Sequence, residues 1–322
     1  MDMIIKFIVA AILAGTPILF GILGEIMNEK AGHLNLGVEG MMAIGACGGF
    51  VAGYFSDNLV VAVLAAFLAG ALGALIYAFL TVTLMANQNV TGLTLTIFGI
   101  GISNFIGECV RGYAKTNLGT DSLKLPAAIT AQLSNVKIPF LSDIPVVGKL
   151  LFSFNPYVYL GIVIAVVLAI YYNCTKVGLS VRAIGENPGA ADAAGVKIVK
   201  LKYLNLLIGG GICGIGGSYC SMITCGGVWL PDSVNGMGWI AVALVIFSTW
   251  KPSKAIFGAF IFGAFSILKY YVPKSVVSIP NAIYDMLPFI LTALILVITS
   301  IRQSKENAQP ASCGLNYFRE ER

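Results

Sequence analysis

Acidic and amide side chains set within long apolar runs are the residues of this chain most able to do chemistry. Glu25, Asn35, Glu39, Asn104 and Glu108 form that set, with Ser103 and the threonines Thr91, Thr94 and Thr96. Ionisable groups at membrane depth are costly to hold and usually serve a pathway, a relay or a bound ligand. Asn35 and Glu39 stand one helical turn apart near the start of an apolar run, which makes Glu39 the strongest case for contact with a solute. The competing role is structural, because near a span end water or the free amides of a helix N-terminus satisfy the same groups. Asn35, Glu39, Thr91, Thr94, Asn104 and Trp239 make up the candidate pathway set.

Covalent and metal chemistry is harder to assemble. His33 is the single histidine, with no second one to form a metal or triad cluster, and it reads as a loop residue. The seven cysteines are scattered, odd in number and without C-x-x-C spacing, so no metal site is expected. The glycines between Gly209 and Gly217 spell G-x-G-x-x-G, but no strand precedes them and they lie inside an apolar run; close helix packing is the expected use. Gly148-Lys149-Leu150 lacks the leading glycine and the Ser/Thr of a P-loop. Neither H-E-x-x-H nor G-x-S-x-G occurs, so no catalytic residue is assigned and a membrane-embedded enzyme is disfavoured.

The elements that must position these residues are membrane helices. The 322 residues are 57% hydrophobic and 11% charged, against roughly 25% charged in an ordinary soluble domain. Apolar runs at 4–23, 34–54, 59–84, 90–106, 157–172, 204–224, 236–250, 255–268 and 286–301 predict an all-α, polytopic membrane bundle of about nine spans, within a range of eight to ten. Gly45, Gly49 and Gly53 recur every fourth residue, and Gly210 and Gly214 repeat the pattern; such stripes let helix backbones approach closely. The span at 90–106, rich in glycine and threonine, is expected in the bundle interior or along a pathway. Residues 1–301 form the transmembrane domain, with an extracytoplasmic loop at about 109–156 that carries one short helix near 127–133. Residues 302–322 form a polar cytosolic tail, expected to be mobile. The net charge of +5 fits basic cytosolic loops rather than nucleic-acid binding. Nine spans with a cytosolic C-terminus put the N-terminus outside, although the 109–156 loop then carries basic residues against the positive-inside bias.

The loop at about 176–203 is the long polar interruption of the second half. Asn187 suits an N-cap, Pro188 the first helical position, and Gly195 a left-handed terminus, so a helix of about two turns is expected over 188–194. Glu186, Asn187, Pro188, Gly189, Ala190, Ala191, Asp192 and Gly195 would form a compact, small-residue surface able to dock into a groove on a cytosolic protein. The alternative is a capped interhelical loop with no partner.

Three stretches carry a family likeness. GEIMNEKAGHLNLGVEGMMAIGA at 24–46 holds Glu29, Lys30, Gly32, Asn35, Leu36, Gly37, Glu39 and Gly40 in the pattern E-(K/R)-x-G-x-x-N-L-G-x-E-G. VGLSVRAIGENPGAADAAGV at 177–196 and GMGWIAVALVIFSTWKP at 236–252 follow in order. The chain resembles the permease subunits of bacterial ABC importers of the branched-chain amino acid, ribose and nucleoside group, most of all the nucleoside type. His33 and Ser248 depart from the usual residues. The resemblance implies a solute pathway through the inner membrane and a cytosolic loop, carrying the 188–194 helix, that couples to a separate ATPase subunit. It also implies a second, related permease in a heterodimer and an external solute-binding lipoprotein. ATP and magnesium would sit on the ATPase, and this chain would bind no cofactor and hydrolyse no ATP. A simple sugar such as ribose is the alternative solute. An ion-coupled secondary transporter is the alternative mechanism, although acids near the midplane would then be expected.

Overall fold

Short polar links start the helices. Asn58, Asn87 and Asn155 accept from amides of the following turn and so open α3 (Leu59–Ala78), α4 (Gln88–Leu118) and α6 (Pro156–Cys174). Before them run α1 (Asp2–Lys30) and α2 (Val38–Ser56). The loop after α4 holds α5 (Ala127–Gln132), and the loop after α6 holds α7 (Lys176–Glu186) and α8 (Pro188–Ala193). The order ends with α9 (Ile198–Tyr219), α10 (Met237–Phe247), α11 (Pro252–Tyr271) and α12 (Asn281–Arg302). Single π-helical turns, Phe79–Thr83 and Cys220–Thr224, extend α3 and α9. The computed structural model describes residues 2–120, 122–136, 148, 150, 152–272, 280–302 and 308–318.

The bundle is built around α9. Its apolar stretch is 83% buried, against 28% in α4 and α11. It packs on α1, α2 and α3, while α4 lies outside on α2, and α11 and α6 lie on α1. Glycine makes this possible. A methyl group at Gly45 would sit 2.2 Å from the Cα of Gly214, and one at Gly217 would sit 1.8 Å from the Met42 carbonyl oxygen. The α2 and α9 backbones therefore touch directly, and α3 closes on α9 where a methyl at Gly214 would meet the Ala66 carbonyl at 2.3 Å. Gly49 faces Ser218 on α9, Gly210 faces Ala74 on α3, and Gly53 faces both Ile129 of α5 and Ala62 of α3.

Seven helices among the described residues are long and apolar enough to cross a membrane, where the sequence predicts about nine. The run 236–250 yields the 11-residue α10, about 16 Å long and half the hydrocarbon thickness. Gly236 starts it at φ 82°, and Thr249 and Trp250 end it at φ 50° and 53°. Helix α4 continues to Leu118, well past the expected loop boundary at 109, and leaves Val90, Ile97 and Phe105 exposed instead of packing in the interior. The extracytoplasmic-loop residues at 137–147 lie outside the described residues.

The tail also departs from expectation. Residues 308–318 dock on the end of the bundle that carries α7 and α8. The Ser312 amide donates to the Gly185 carbonyl (2.9 Å), Asn316 Nδ2 donates to the Met85 carbonyl (2.6 Å), and the Tyr317 hydroxyl donates to Asp192 (3.0 Å). A polar tail is mobile only when its polar groups prefer water, and these find uncapped carbonyls at helix ends.

Direct backbone contact predicts that Gly45→Leu lowers the thermal stability of the purified chain by about 1–3 kcal/mol or more, as overpacking does. Gly101→Leu, at a helical site with nothing within 4 Å, should leave it unchanged. Equal unfolding temperatures for the two variants would contradict the packing.

Candidate functional site

A cavity of about 390 Å³ opens between α2, α4 and the chain entering α10, lined by Glu39, Ser103, Asn104, Asp232, Asn235 and Trp239 among others. Three elements position these groups. Helix α2 presents Glu39 in its first turn. Both its carboxylate oxygens accept from the start of α10, one from the Gly236 amide at 2.7 Å and the other from the Gly238 amide at 2.6 Å. A helix N-terminus carries free amides and a partial positive charge, so a carboxylate there is well placed. Gly238 has room for no side chain, because a methyl would lie 2.5 Å from the Glu39 Cα. Helix α4 brings Asn104, whose amide group pairs twice with Asp232: Nδ2 donates to Oδ1 at 2.9 Å, and Oδ1 accepts from the Asp232 amide at 3.1 Å. Trp239 is 40% exposed on the cavity wall.

Of the six candidate pathway residues, Glu39, Asn104 and Trp239 thus meet in one place. Asn35 does not join them. It is fully buried in the link before α2, where its amide donates to Glu25 (2.9 Å) and its Oδ1 accepts from Gly37 (2.9 Å), an Asx turn that sets the entry into the helix. Thr91 and Thr94 donate to the carbonyls of Asn87 and Val90, each at 2.8 Å, and so bond within their own helix. Asp232 was not singled out from the sequence. Only the Asn104 pairing marks it, and that pairing spans 128 residues.

A second polar layer lies at the far end of α10. The Trp250 indole N–H donates to Glu29, and Glu25 accepts from Asn28 Nδ2 at 2.7 Å. His33 belongs to this layer. It lies in a loop but is 1% exposed, with neither ring nitrogen hydrogen-bonded and its ring edge-on to Tyr77. Burial pushes its pKa well below the ordinary histidine range, and the nearby Lys202 charge adds to the effect.

Helix α8 follows from its caps. Asn187 Oδ1 accepts from the Ala190 amide at 3.0 Å, Pro188 occupies the first position, and Gly195 takes φ 79°. Ala191 turns inward, 4% exposed, onto Ile184 of α7 and Ile198 of α9. The outward surface is Ala190, Ala193 and Ala194, flanked by Glu186, Asn187 and Gly195, all exposed, while Asp192 holds the tail through Tyr317. Among the described residues no group of three metal-binding side chains occurs.

Residues 7–297 match the family described as branched-chain amino acid transport system / permease component. Among curated relatives, guanosine ABC transporter permease protein NupQ of Bacillus subtilis is 34% identical, over 91% of this chain and 92% of its own. The putative glucose ABC transporter permease protein TsgC13 of Haloferax volcanii is 32% identical over 97% of both chains. Nucleoside ABC transporter permease protein NupC of Lactococcus lactis is 29% identical over 98% of both. With a family match over nearly its whole length and helices suited to repeated crossing of a membrane, the chain belongs to the permease components of branched-chain amino acid-type transport systems, as a multi-pass ABC permease.

Proposed function

We propose that the chain forms part of the translocation pathway for a nucleoside, driven by ATP hydrolysis on a separate ATPase subunit. The observation that carries this reading is the cavity at the start of α10, where an exposed indole faces a paired amide and carboxylate. An aromatic face suits a nucleobase, and the polar pair suits ribose hydroxyls or base edges. The names of two relatives, for guanosine and nucleoside permeases, support the same solute class. The glucose-named relative supports a simple sugar as the second reading.

In this reading residues 225–247, which end in the half-length α10, and α12 each complete a crossing and bring the seven helices long enough to span to nine crossings, with residues 1–301 as the transmembrane domain and the C-terminus cytosolic. The chain sits in the bacterial inner membrane beside a second, related permease, and exposed apolar side chains on α3 and α4 supply a face for it. A solute-binding lipoprotein delivers the solute from outside. The chain itself carries no nucleotide; ATP and magnesium belong to the ATPase. Helix α8 docks on that ATPase through Ala190, Ala193 and Ala194.

Uptake of labelled guanosine, uridine, glucose and ribose by a strain lacking this chain tests the solute. Nucleoside uptake is expected to fall to background and to return with the wild-type chain. Trp239→Ala should restore roughly a tenth of it, the loss expected from one base-aromatic stack. Loss of glucose uptake with nucleoside uptake intact would overturn the reading.

Coupling is tested separately. Ala190→Arg should leave membrane insertion and thermal stability unchanged but abolish uptake and solute-stimulated ATP hydrolysis by the assembled complex. Ala191→Arg, at the inward position, should instead destabilise the loop. Normal uptake with Ala190→Arg would remove α8 from the coupling contact.

A further inference from the structure

A cavity of about 750 Å³ opens at the end of the bundle that carries α7, apart from the Glu39 site. Three cations converge on it from three elements: Lys30 from the end of α1, Arg182 from α7 and Lys251 from the start of α11. Among the described residues, none of the three side chains has an ion pair or a hydrogen bond, and Arg182 Nε is buried without an acceptor. Glu186 is the one acid on the wall. The 20-residue α11 also begins here without a side-chain cap, so its free amides add to the positive field.

The cavity does not end at the polar layer. Ala169, Asn173 and Ser253 line it and also line an apolar groove of about 260 Å³ that runs between α6 and α11. Ala165, Val166, Ile170 and Ile256 form the groove, and both bounding helices are among those long and apolar enough to cross the membrane. A cationic pocket at a helix end, continuous with an apolar furrow between two spans, has the two halves of a phospholipid: an anionic head and an acyl chain. Three cations share the wall with one carboxylate, Glu186, and a phosphate supplies the further negative charge and acceptor oxygens that the imbalance calls for. An acidic protein surface or a free phosphate would use the cations but leave the furrow empty.

We propose that this site binds an anionic glycerophospholipid, its phosphate held by Lys30, Arg182 and Lys251 and one acyl chain lying in the α6–α11 groove. The site would hold the α7 end of the bundle against the membrane leaflet beneath it.

The test uses the purified full chain in detergent, with phosphatidylglycerol, phosphatidylcholine and inorganic phosphate as probes. Native mass spectrometry should show phosphatidylglycerol retained over phosphatidylcholine by about tenfold, and phosphatidylglycerol should raise the unfolding temperature more than phosphatidylcholine does. Arg182→Gln combined with Lys251→Gln should abolish the preference. Ala169→Phe, which fills the furrow and leaves the cations in place, should also lower retention. Equal retention of the two lipids, or an undiminished preference in the double variant, would overturn the proposal. A stabilisation reproduced by inorganic phosphate and unaffected by Ala169→Phe would also overturn it, by making the site one for a free anion. The readout involves no transport, so it stands or falls apart from the solute reading.

Discussion

The arrangement of the cavity at Glu39 depends on a carboxylate at the head of a half-length helix. Helix α10 is too short to cross a membrane and would leave its first amides unpaired in the bundle. Glu39 takes the Gly236 and Gly238 amides with its two oxygens. Hydrogen bonds to charged groups are worth about 1.5–3 kcal/mol each, and breaking one partner inside a bundle leaves the other exposed to a poor solvent. The absent side chain of Gly238 is part of the same contact, because any Cβ would collide with the α2 backbone. At the other end, Trp250 is held by Glu29 of α1. The half-helix is therefore fixed at both ends by acids from the first two helices, and the cavity exists because α10 starts where it does.

A displacement of α8 can be followed through packed neighbours. Ala191 sits on Ile184 and Ile198, so a displacement of α8 bears directly on α7 and on the first turn of α9. Helix α9 in turn touches α1, α2 and α3 through bare backbone, where there is little soft side chain to absorb a shift. Interfaces of this kind move as blocks. The docked tail adds a second link, from Asp192 across to the turn at Met85 that joins α3 and α4.

Local signals were the legible part of this chain. Asn187-Pro188 announces α8 on its own, and the structure shows the same amide cap at Asn58, Asn87 and Asn155. The family likeness was carried by 24–46, 177–196 and 236–252, and the family match covers all three. What was not legible was which way a side chain points and which distant residue it meets. Composition gives 236–250 the look of a span, but the left-handed residues that cut α10 short are Thr249 and Trp250, which carry no such signal. Helical phase, not residue type, turns Ala191 inward and Ala190 outward. Asn35 and Glu39 lie one turn apart in sequence, yet one shapes a link and the other reaches α10. Asp232 and the tail acquire their roles only from partners more than a hundred residues away.

The most direct measurement compares Glu39→Gln with Asn104→Ala, scoring thermal unfolding of the purified chain and nucleoside uptake by the assembled transporter. Glutamine offers one acceptor where two amides need one each, so Glu39→Gln should lower both the unfolding temperature and uptake. Asn104→Ala should lower uptake at nearly unchanged stability. An unchanged unfolding temperature in Glu39→Gln with uptake lost would contradict the capping role and make Glu39 a direct contact of the solute.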